Sequence, residues 1–277
     1  MVRGALVAAC GVLLAAAVSG CAGGSGSAAP PPTTTVVKQL RQFRIVFPEG
    51  FTRVEMGARV EAVAKIAKHE SHRKVKLSKA AYLAATSHPR RIPGFGSKRR
   101  PFEGFLFPST YDFDRKSTSA YLVKEQLAAF RQAWKKLNLA YARSKKLTPY
   151  DVLTIASMVE GEAQVPKERP LVAAVIYNRL RLGMPLGIDA TLRYGLHIPP
   201  TQSLTQSELH NPTPYNTRLH LGLPPTPIDN PGFASMQAAA HPAHVDYLYF
   251  VRKPDHKHHY FTSSYQDFLN HEAQYGY

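Results

Sequence analysis

The amino-acid sequence predicts an α+β protein, and three observations support this fold class. Apolar residues recur at helical spacing in several segments, most clearly between residues 148 and 159. Shorter alternating runs, such as the one that begins at Phe43, indicate strands. Hydrophobic residues make up 44% of the 277 residues, which is enough for a sizeable core.

Residues 1–21 resemble a bacterial lipoprotein signal peptide. Arg3 gives a short positive region, and an uncharged, mostly apolar run follows it. The run ends in V-S-G-C, which resembles a lipobox, so Cys21 is the predicted lipidation site. The alternative is an uncleaved transmembrane anchor, because residues 4–24 carry no charge and approach the ~20 residues that span a bilayer. Either anchor predicts a body on the extracytoplasmic side of the cell membrane.

Residues 22–40 are predicted to be a disordered tether, since they are rich in Gly, Ser and Pro. The chain has two cysteines, Cys10 and Cys21, and both precede this tether. The body that follows therefore contains neither a disulfide framework nor a thiol nucleophile.

The ordered body is predicted to begin with a strand near Phe43 and a turn at residues 48–52. A first amphipathic helix follows with its apolar face over residues 56–67, and a second, short helix begins at Ser78. A longer amphipathic helix is predicted over residues 119–137, and its aromatic residues are expected in the core.

The second half of the body is predicted to be mainly helical, with two strands near its end. One helix begins at Thr148, and the next runs from about residue 170 to a glycine at 183. The Pro-rich residues 212–231 are expected to form a long loop, the usual place for substrate contacts. Strands are predicted at residues 247–252 and 259–262, and a final helix follows them.

The helix that begins at Thr148 ends at a carboxylate. Thr148, Pro149 and Asp151 form a helix-start signal, and the residues after them are apolar on nearly every side, as in a buried helix. Glu160 would then be partly desolvated, which suits a proton donor. The alternative is a solvated side chain on a frayed last turn. Glu162 lies about 200° further around the helix and is expected to face away from Glu160.

The formal net charge of +16 predicts attraction to anionic partners, such as nucleic acid, acidic lipid or wall polymers. The sequence contains no nucleic-acid-binding or phosphate-binding motif, so we expect no nucleic acid partner and no cofactor. His256, His258 and His259 do not match the spacing of a zinc site, and no metal is predicted.

The order of motifs over roughly residues 102–263 resembles the YceG-like, or MltG-type, family of endolytic murein transglycosylases. The matching segments are A-S-M-V-E at 156–160, V-I-Y-N-R-L at 175–180, G-M-P-L at 183–186, D-A-T at 189–191, Y-N-T at 215–217, G-L-P-P at 222–225, N-P-G at 230–232 and Y-L-Y-F-V at 247–251. The resemblance implies a reduced LysM-like α/β subdomain at residues 41–115 and an α+β transglycosylase catalytic domain at residues 116–277.

The resemblance also implies an activity. Enzymes of this family cleave the bond between N-acetylmuramic acid (MurNAc) and N-acetylglucosamine (GlcNAc) in nascent peptidoglycan and leave 1,6-anhydro-MurNAc ends, which terminates glycan elongation. The catalytic glutamate of the family falls on Glu160, which would act first as acid and then as base. Candidate glycan-binding residues are Asn178, Asp189, Tyr215 and Asn216. The implied partners are glycan strands, the membrane and peptidoglycan synthases.

Two other functions remain open from the sequence. A muramidase would hydrolyse the same bond with Glu160 as the acid, and its products would have reducing ends. A non-catalytic scaffold would bind the cell wall through its basic surface, and it would be expected to lose the glutamate that this chain retains.

Overall fold

The computed structural model describes residues 42–276. The predicted signal peptide or anchor (1–21), the predicted lipidation site Cys21 and the predicted tether (22–40) lie outside the described residues. The helices are α1 (Arg53–Ser71), α2 (Lys79–Ala85), α3 (Ser119–Trp134), α4 (Ala140–Ser144), α5 (Pro149–Glu162), α6 (Arg169–Leu182), α7 (Asp189–Leu196), α8 (Gln206–Leu209), α9 (Phe233–Ala240) and α10 (Tyr265–Tyr275). The strands are β1 (Phe43–Val46), β2 (Thr110–Phe113), β3 (Tyr249–Arg252) and β4 (His259–Thr262), and a 3₁₀ turn, Pro166–Glu168, precedes α6.

The first part of the fold is a two-stranded sheet with two helices inserted between its strands. β1 and β2 are antiparallel, with Phe43 opposite Phe113. Side chains of this sheet, of α1, α2 and one face of α3 form a buried apolar cluster. The hydroxyl of the fully buried Tyr82 in this cluster has a partner, since Tyr82 Oη donates to Gln126 Oε1 over 2.7 Å. A hydrogen bond of this kind removes the cost of burying the polar group.

The second part is built around α5. The helix starts with a capping box, in which the Thr148 side chain accepts from Asp151 N and the Asp151 carboxylate accepts from Thr148 N. Every residue from Val152 to Val159 is buried, and both α6 and α9 pack against the helix. Burying a large aliphatic side chain contributes about 1.5–3 kcal/mol. The C-terminal end of α5 is therefore fixed in position.

The hairpin β3–β4 and the helix α10 form a layer beside α6. The register of the hairpin places Arg252 directly opposite His259. The buried His259 side chain contacts the Glu168 carboxylate, with 2.8 Å between Nδ1 and Oε2, and this carboxylate also accepts from the backbone N–H of His259. The contact ties the hairpin to the 3₁₀ turn that begins α6.

The α+β class predicted from the sequence is confirmed, and each predicted helix and strand of the body occurs. The helix predicted to reach residue 137 ends at Trp134, and residues 212–231 contain no helix or strand. The helix α7 was not expected; it has no side-chain N-cap and holds Gly195 inside it, so its local sequence signal is weak. Within residues 42–276 we find no helix with the length and apolarity needed to cross a bilayer.

Candidate active site

A cavity of 1510 Å³ lies at the C-terminal end of α5. Its walls come from the end of α5, from α7, β3 and α10, and from residues 50–55 of the first part of the fold. Polar and aromatic side chains both contribute to the lining. A concave site of this composition, formed where two parts of a fold meet, is typical of ligand-binding sites. We refer to it as the large cavity.

Glu162 is the carboxyl group that α5 contributes to the large cavity. The residue is buried, and its Oε1 accepts from Ala190 N over 3.3 Å in the first turn of α7. Burial raises the pKa of the Glu162 carboxyl and the charge of Asp189 raises it further, while the Ala190 N–H, Arg252 and Arg193 oppose the shift. A desolvated carboxyl group with a raised pKa, open to a cavity, is suited to donate a proton.

Glu160 lies on another side of the same helix and has different partners. Its Oε2 accepts from Gly232 N over 3.0 Å, and its Oε1 lies 3.7 Å from an Arg169 guanidinium nitrogen. Arg169 is itself held by Ser235 of α9, to whose Oγ its Nε donates over 3.0 Å. The Glu160 side chain is 8% exposed and is absent from the lining of the large cavity. Both of its oxygens are therefore already engaged by the protein.

A second carboxyl group from the first part of the fold packs beside Glu160. The Glu49 carboxyl lies against the Cα of Gly232, and a Cβ at position 232 would overlap with it. Burial and the charge of Glu160 raise the pKa of Glu49, while Arg169 lowers it. Glycine at position 232 thus lets the loop lie against the Glu49 carboxyl, which a side chain at this position would displace.

The segment formed by residues 228–232 joins the two parts of the fold. Ile228 N donates to Ser157 Oγ on α5 over 3.0 Å. The fully buried Asn230 donates from Nδ2 to Phe51 O over 2.9 Å and to Glu103 Oε1 over 2.8 Å, and it accepts from Leu106 N over 2.9 Å. Each part of the cavity wall therefore depends on the other for its hydrogen bonds.

Asp229 is a buried carboxyl group in this segment. Its Oδ1 makes no hydrogen bond within residues 42–276. Burial raises the pKa of Asp229 well above its usual value, and the charges of Glu160 and Glu103 raise it further. The Asp229 carboxyl is therefore favoured in its neutral, protonated form, since burying an unpaired charge is costly.

Glu103 belongs to the same network and also lines the large cavity. Its Oε1 accepts from Arg53 N over 2.9 Å, and its Oε2 accepts from Tyr194 Oη over 3.2 Å. Burial raises the pKa of Glu103 to about 7, although the hydrogen bonds that it accepts oppose the shift. Its charge state therefore changes near neutral pH.

The raised pKa of Glu103 predicts a pH-dependent stability. Between its usual value of 4.5 and about 7, the folded protein binds more protons than the unfolded chain, so the free energy of unfolding falls as the pH rises. The shift corresponds to on the order of 3 kcal/mol. We expect Glu103→Gln, which resembles the protonated form, to gain stability relative to the wild type over this window. Urea unfolding at several pH values measures the difference, and parallel curves for the two proteins would contradict the assignment.

Comparison with known proteins identifies the chain's relatives. The model of the YceG-like family matches residues 30–274. The chain belongs to the YceG-like family. A Bacillus subtilis protein named endolytic murein transglycosylase is 36% identical over 157 residues, which is 56% of this chain and 43% of that protein. A protein of the same name from Streptococcus pneumoniae is 36% identical over 160 residues, covering 55% of this chain and 28% of that protein.

The fold has a solved counterpart. A crystal structure of a YceG-like protein from Listeria monocytogenes superposes with a TM-score of 0.67 at 30% identity, covering 82% of this chain and 75% of that one. The matched stretch spans less than half of the length of each curated relative named above. The family membership therefore covers the fold described here, whereas the curated relatives contain further sequence.

The structure brings two of the predicted glycan-binding residues to the large cavity of this YceG-like protein. Asp189 begins α7 and forms an ion pair with Arg218. Tyr215 donates to or accepts from Thr226 over 2.8 Å, and a Cβ at Gly195 would lie 2.6 Å from the Tyr215 Cβ. Glycine at this position in α7 lets the Tyr215 loop pack directly against the helix.

The other two predicted glycan-binding residues, Asn178 and Asn216, do not line the large cavity, and both donate to backbone carbonyls. Asn178 donates to Val245 O over 2.9 Å and to Tyr247 O over 3.0 Å, and it lines a separate cavity of 570 Å³. Asn216 is fully buried, and its amide donates to the carbonyls of Leu209, the last residue of α8, and of Asn211. Both amides fix loop backbone, because buried carbonyl groups need donors.

The histidine tract has no common centre. His258 contacts Asp255 with 2.8 Å between Nδ1 and Oδ2, whereas His259 contacts Glu168. Residues 42–276 contain no group of three or more His, Cys, Asp or Glu side chains arranged to hold a metal ion.

Sequence reasoning missed several residues of this site. It weighed Glu162 and set it aside, and it gave no role to Glu49, Arg169 or Asp229. The P-E-G and N-P-G motifs at residues 48–50 and 230–232 were visible signals, and these two segments meet beside Glu160.

Proposed function

We propose that this chain is an endolytic peptidoglycan lytic transglycosylase. It would cleave the MurNAc–GlcNAc bond of nascent glycan strands, form 1,6-anhydro-MurNAc ends and so terminate glycan elongation. Its membership of the YceG-like family and the names of its curated relatives support the activity. The observation that carries the proposal is the desolvated Glu162 carboxyl in the wall of a 1510 Å³ cavity.

Two glutamates compete for the role of acid and base. The sequence resemblance assigns the role to Glu160, whose oxygens are held by Gly232 N and lie near Arg169. The geometry favours Glu162, because it lines the cavity and accepts a single 3.3 Å hydrogen bond from Ala190 N. We propose that Glu162 meets the glycan and that Glu160 holds the segment 228–232 beside it.

One carboxyl group is sufficient for the proposed reaction. The protonated carboxyl donates its proton to the glycosidic oxygen, and the bond from this oxygen to the anomeric carbon of MurNAc breaks. The resulting carboxylate then takes the proton of the MurNAc C6 hydroxyl, whose oxygen bonds to the anomeric carbon. The product is the 1,6-anhydro sugar, no water is consumed, and the carboxyl group is again protonated. The hydrogen bond from Ala190 N would hold the carboxyl group in one orientation throughout.

The glycan would lie along the large cavity. We propose that Asp189 and Tyr215 contact its sugars, since both line the cavity and Asp189 lies beside Glu162. Tyr194 and Tyr249 line the same cavity and offer aromatic surface for sugar rings.

Product chemistry distinguishes the candidate functions. Purified glycan strands are treated with residues 42–277, and the products are analysed by mass spectrometry. A transglycosylase leaves 1,6-anhydro ends, 18 mass units lighter than the reducing ends that a muramidase leaves, since ~18 is the mass of the water consumed on hydrolysis. Intact strands that co-sediment with the protein would instead indicate a wall-binding scaffold.

We further propose that the body, with a reduced LysM-like part at residues 41–115 and a catalytic part at 116–277, is held on the extracytoplasmic side of the membrane by acylated Cys21. A tether at residues 22–40 would then let it reach nascent glycan and peptidoglycan synthases. Labelled palmitate fed to growing cells is expected to enter the wild type and not Cys21→Ser. Equal labelling, or a mature N-terminus at Met1, would favour a transmembrane anchor instead.

A further inference from the structure

Arg252, at the end of β3, is a cation of the large cavity without a direct partner. The side chain is half-buried and lines the cavity. Within residues 42–276 its guanidinium makes no hydrogen bond, no ion pair and no contact with an aromatic ring. Its charge nevertheless acts on Glu162 and on His259, so it lies on the Glu162 side of the cavity. A guanidinium carries five N–H donors, and here they are available to a ligand.

The other three guanidinium groups on this side of the cavity are occupied. Arg179 donates to backbone carbonyls at 2.6 Å and 2.8 Å, in the loops before β3 and α7. Arg193 donates to two carbonyls of the loop after α7, one of them at 3.0 Å. Arg218 is paired with Asp189. These three guanidinium groups form hydrogen bonds or an ion pair within the protein, whereas that of Arg252 forms neither within the described residues.

Glu162, the carboxyl group on which the charge of Arg252 acts, does not neutralise this charge in an ion pair. Glu162 and Arg252 form no ion pair within 4.0 Å. Before the reaction, the proposed acid must also be protonated and uncharged. Arg252 then faces the cavity without a paired anion, so its N–H donors are available to an anionic group of a ligand. A planar guanidinium matches the geometry of a carboxylate, to which it can donate two parallel hydrogen bonds.

We propose that Arg252 binds a carboxylate carried by the MurNAc residue of the glycan, and that it makes the protein selective for charged strands. This inference rests on the proposed function. The carboxylate has two sources with the same chemistry: the peptide that is attached to the lactyl group of MurNAc, or the lactyl group itself once the peptide has been removed. The sugar rings carry hydroxyl and acetamido groups without charge, so the MurNAc substituent is the feature that a cation can recognise.

The experiment compares three glycans. The first carries its peptides, the second has been stripped of them so that the lactyl carboxylate is free, and the third is the stripped glycan with its carboxyl groups converted to amides. We expect Arg252→Gln to raise KM for a carboxylate-bearing glycan by about 10-fold, the scale of one charge-assisted interaction, with kcat within about 3-fold of the wild type. KM for the amidated glycan should be unchanged. An effect on the peptide-bearing glycan alone identifies the peptide as the source, and an effect on the stripped glycan identifies the lactyl group.

Two further variants keep the test specific. Arg181→Gln removes the same charge from an exposed position on α6, away from the cavity, and should leave KM unchanged. Arg252→Lys keeps the charge and loses the planar fork, so its KM should lie between those of the wild type and Arg252→Gln. Melting curves verify that each variant folds. An equal rise of KM for all three glycans, or a loss of kcat without a change in KM, would overturn the proposal.

A direct binding measurement separates this inference from the proposed activity. If the wild type does not cleave glycan, the proposed function fails, and calorimetric titration with the peptide-bearing glycan and with the stripped glycan still tests Arg252. Weaker binding by Arg252→Gln than by the wild type, by about 10-fold and only for carboxylate-bearing glycan, supports the carboxylate site on its own. Identical affinities, or no binding by either protein, reject it.

Discussion

Glu162→Gln is expected to lower the rate of glycan cleavage by at least ~10²-fold, the usual scale for the loss of a general acid and base. Glutamine keeps the size of the side chain and can still accept from Ala190 N, so the end of α5 should keep its position. It cannot donate the proton that the glycosidic oxygen needs. Because the carboxyl group is already desolvated, removing its charge should not destabilise the fold. The measurement is the rate of formation of anhydro ends, with melting temperature as the folding control.

Glu160→Gln is the matched comparison, since it is the same substitution two residues earlier on the same helix. If Glu160 acts through the position of the segment 228–232, its glutamine variant should lose activity less than Glu162→Gln, together with some stability through the weakened contact with Arg169. If Glu160→Gln is stable but inactive and Glu162→Gln is active, the acid and base is Glu160, as the sequence resemblance implies. The argument from the cavity would then be wrong.

Asn230→Ala is expected to lower the free energy of unfolding by about 3 kcal/mol. The substitution leaves the buried Leu106 N without its acceptor and takes one donor from the buried Glu103 carboxyl and one from the half-buried Phe51 O. An unsatisfied buried polar group costs roughly 1–3 kcal/mol, and the cavity left by the side chain adds to this. Urea unfolding measures the change through the midpoint at constant slope.

An exposed asparagine provides the control for this variant. Asn138 also accepts a backbone N–H, from Ala140 over 2.9 Å, but it does so at the surface before α4. Asn138→Ala should cost no more than about 1 kcal/mol, because water replaces the lost acceptor. Similar decreases in the free energy of unfolding for the two variants would mean that the hydrogen bonds of Asn230 stabilise the fold no more than the exposed hydrogen bond of Asn138 does.

Local signals were sufficient to predict the helix that carries the site. The capping box at Thr148 and the unbroken apolar run after it depend only on neighbours in the sequence, and both occur as expected. The same helical geometry predicted that Glu160 and Glu162 diverge, and the two side chains have separate partners. A helical period gives the angle between two side chains on one helix, and it is independent of the rest of the fold.

Which of these faces borders a cavity could not be predicted, because distant segments decide it. The first turn of α7 contacts Glu162 on the side of α5 that borders the cavity. Glu160, on another side of the helix, contacts Gly232, which lies 72 residues later in the chain. Asn178 illustrates the same limit. The sequence offered Asn178 as a candidate glycan-binding residue and gave no sign that its amide donates to carbonyls 67 and 69 residues away. A sequence pattern does not reveal backbone acceptors that arrive from elsewhere in the chain.

The contacts of Asn230 determine whether the first part of the fold could be exchanged for a different domain. Its partners Phe51, Glu103 and Leu106 all belong to the first part of the fold, and the backbone of residue 230 also pairs with residues 50 and 51. The first part is therefore not a detachable accessory module that could be swapped for another binding domain. A chimera that takes the first part from one protein and the second part from another would therefore have to preserve these contacts, or lose the hydrogen bonds that form the cavity wall.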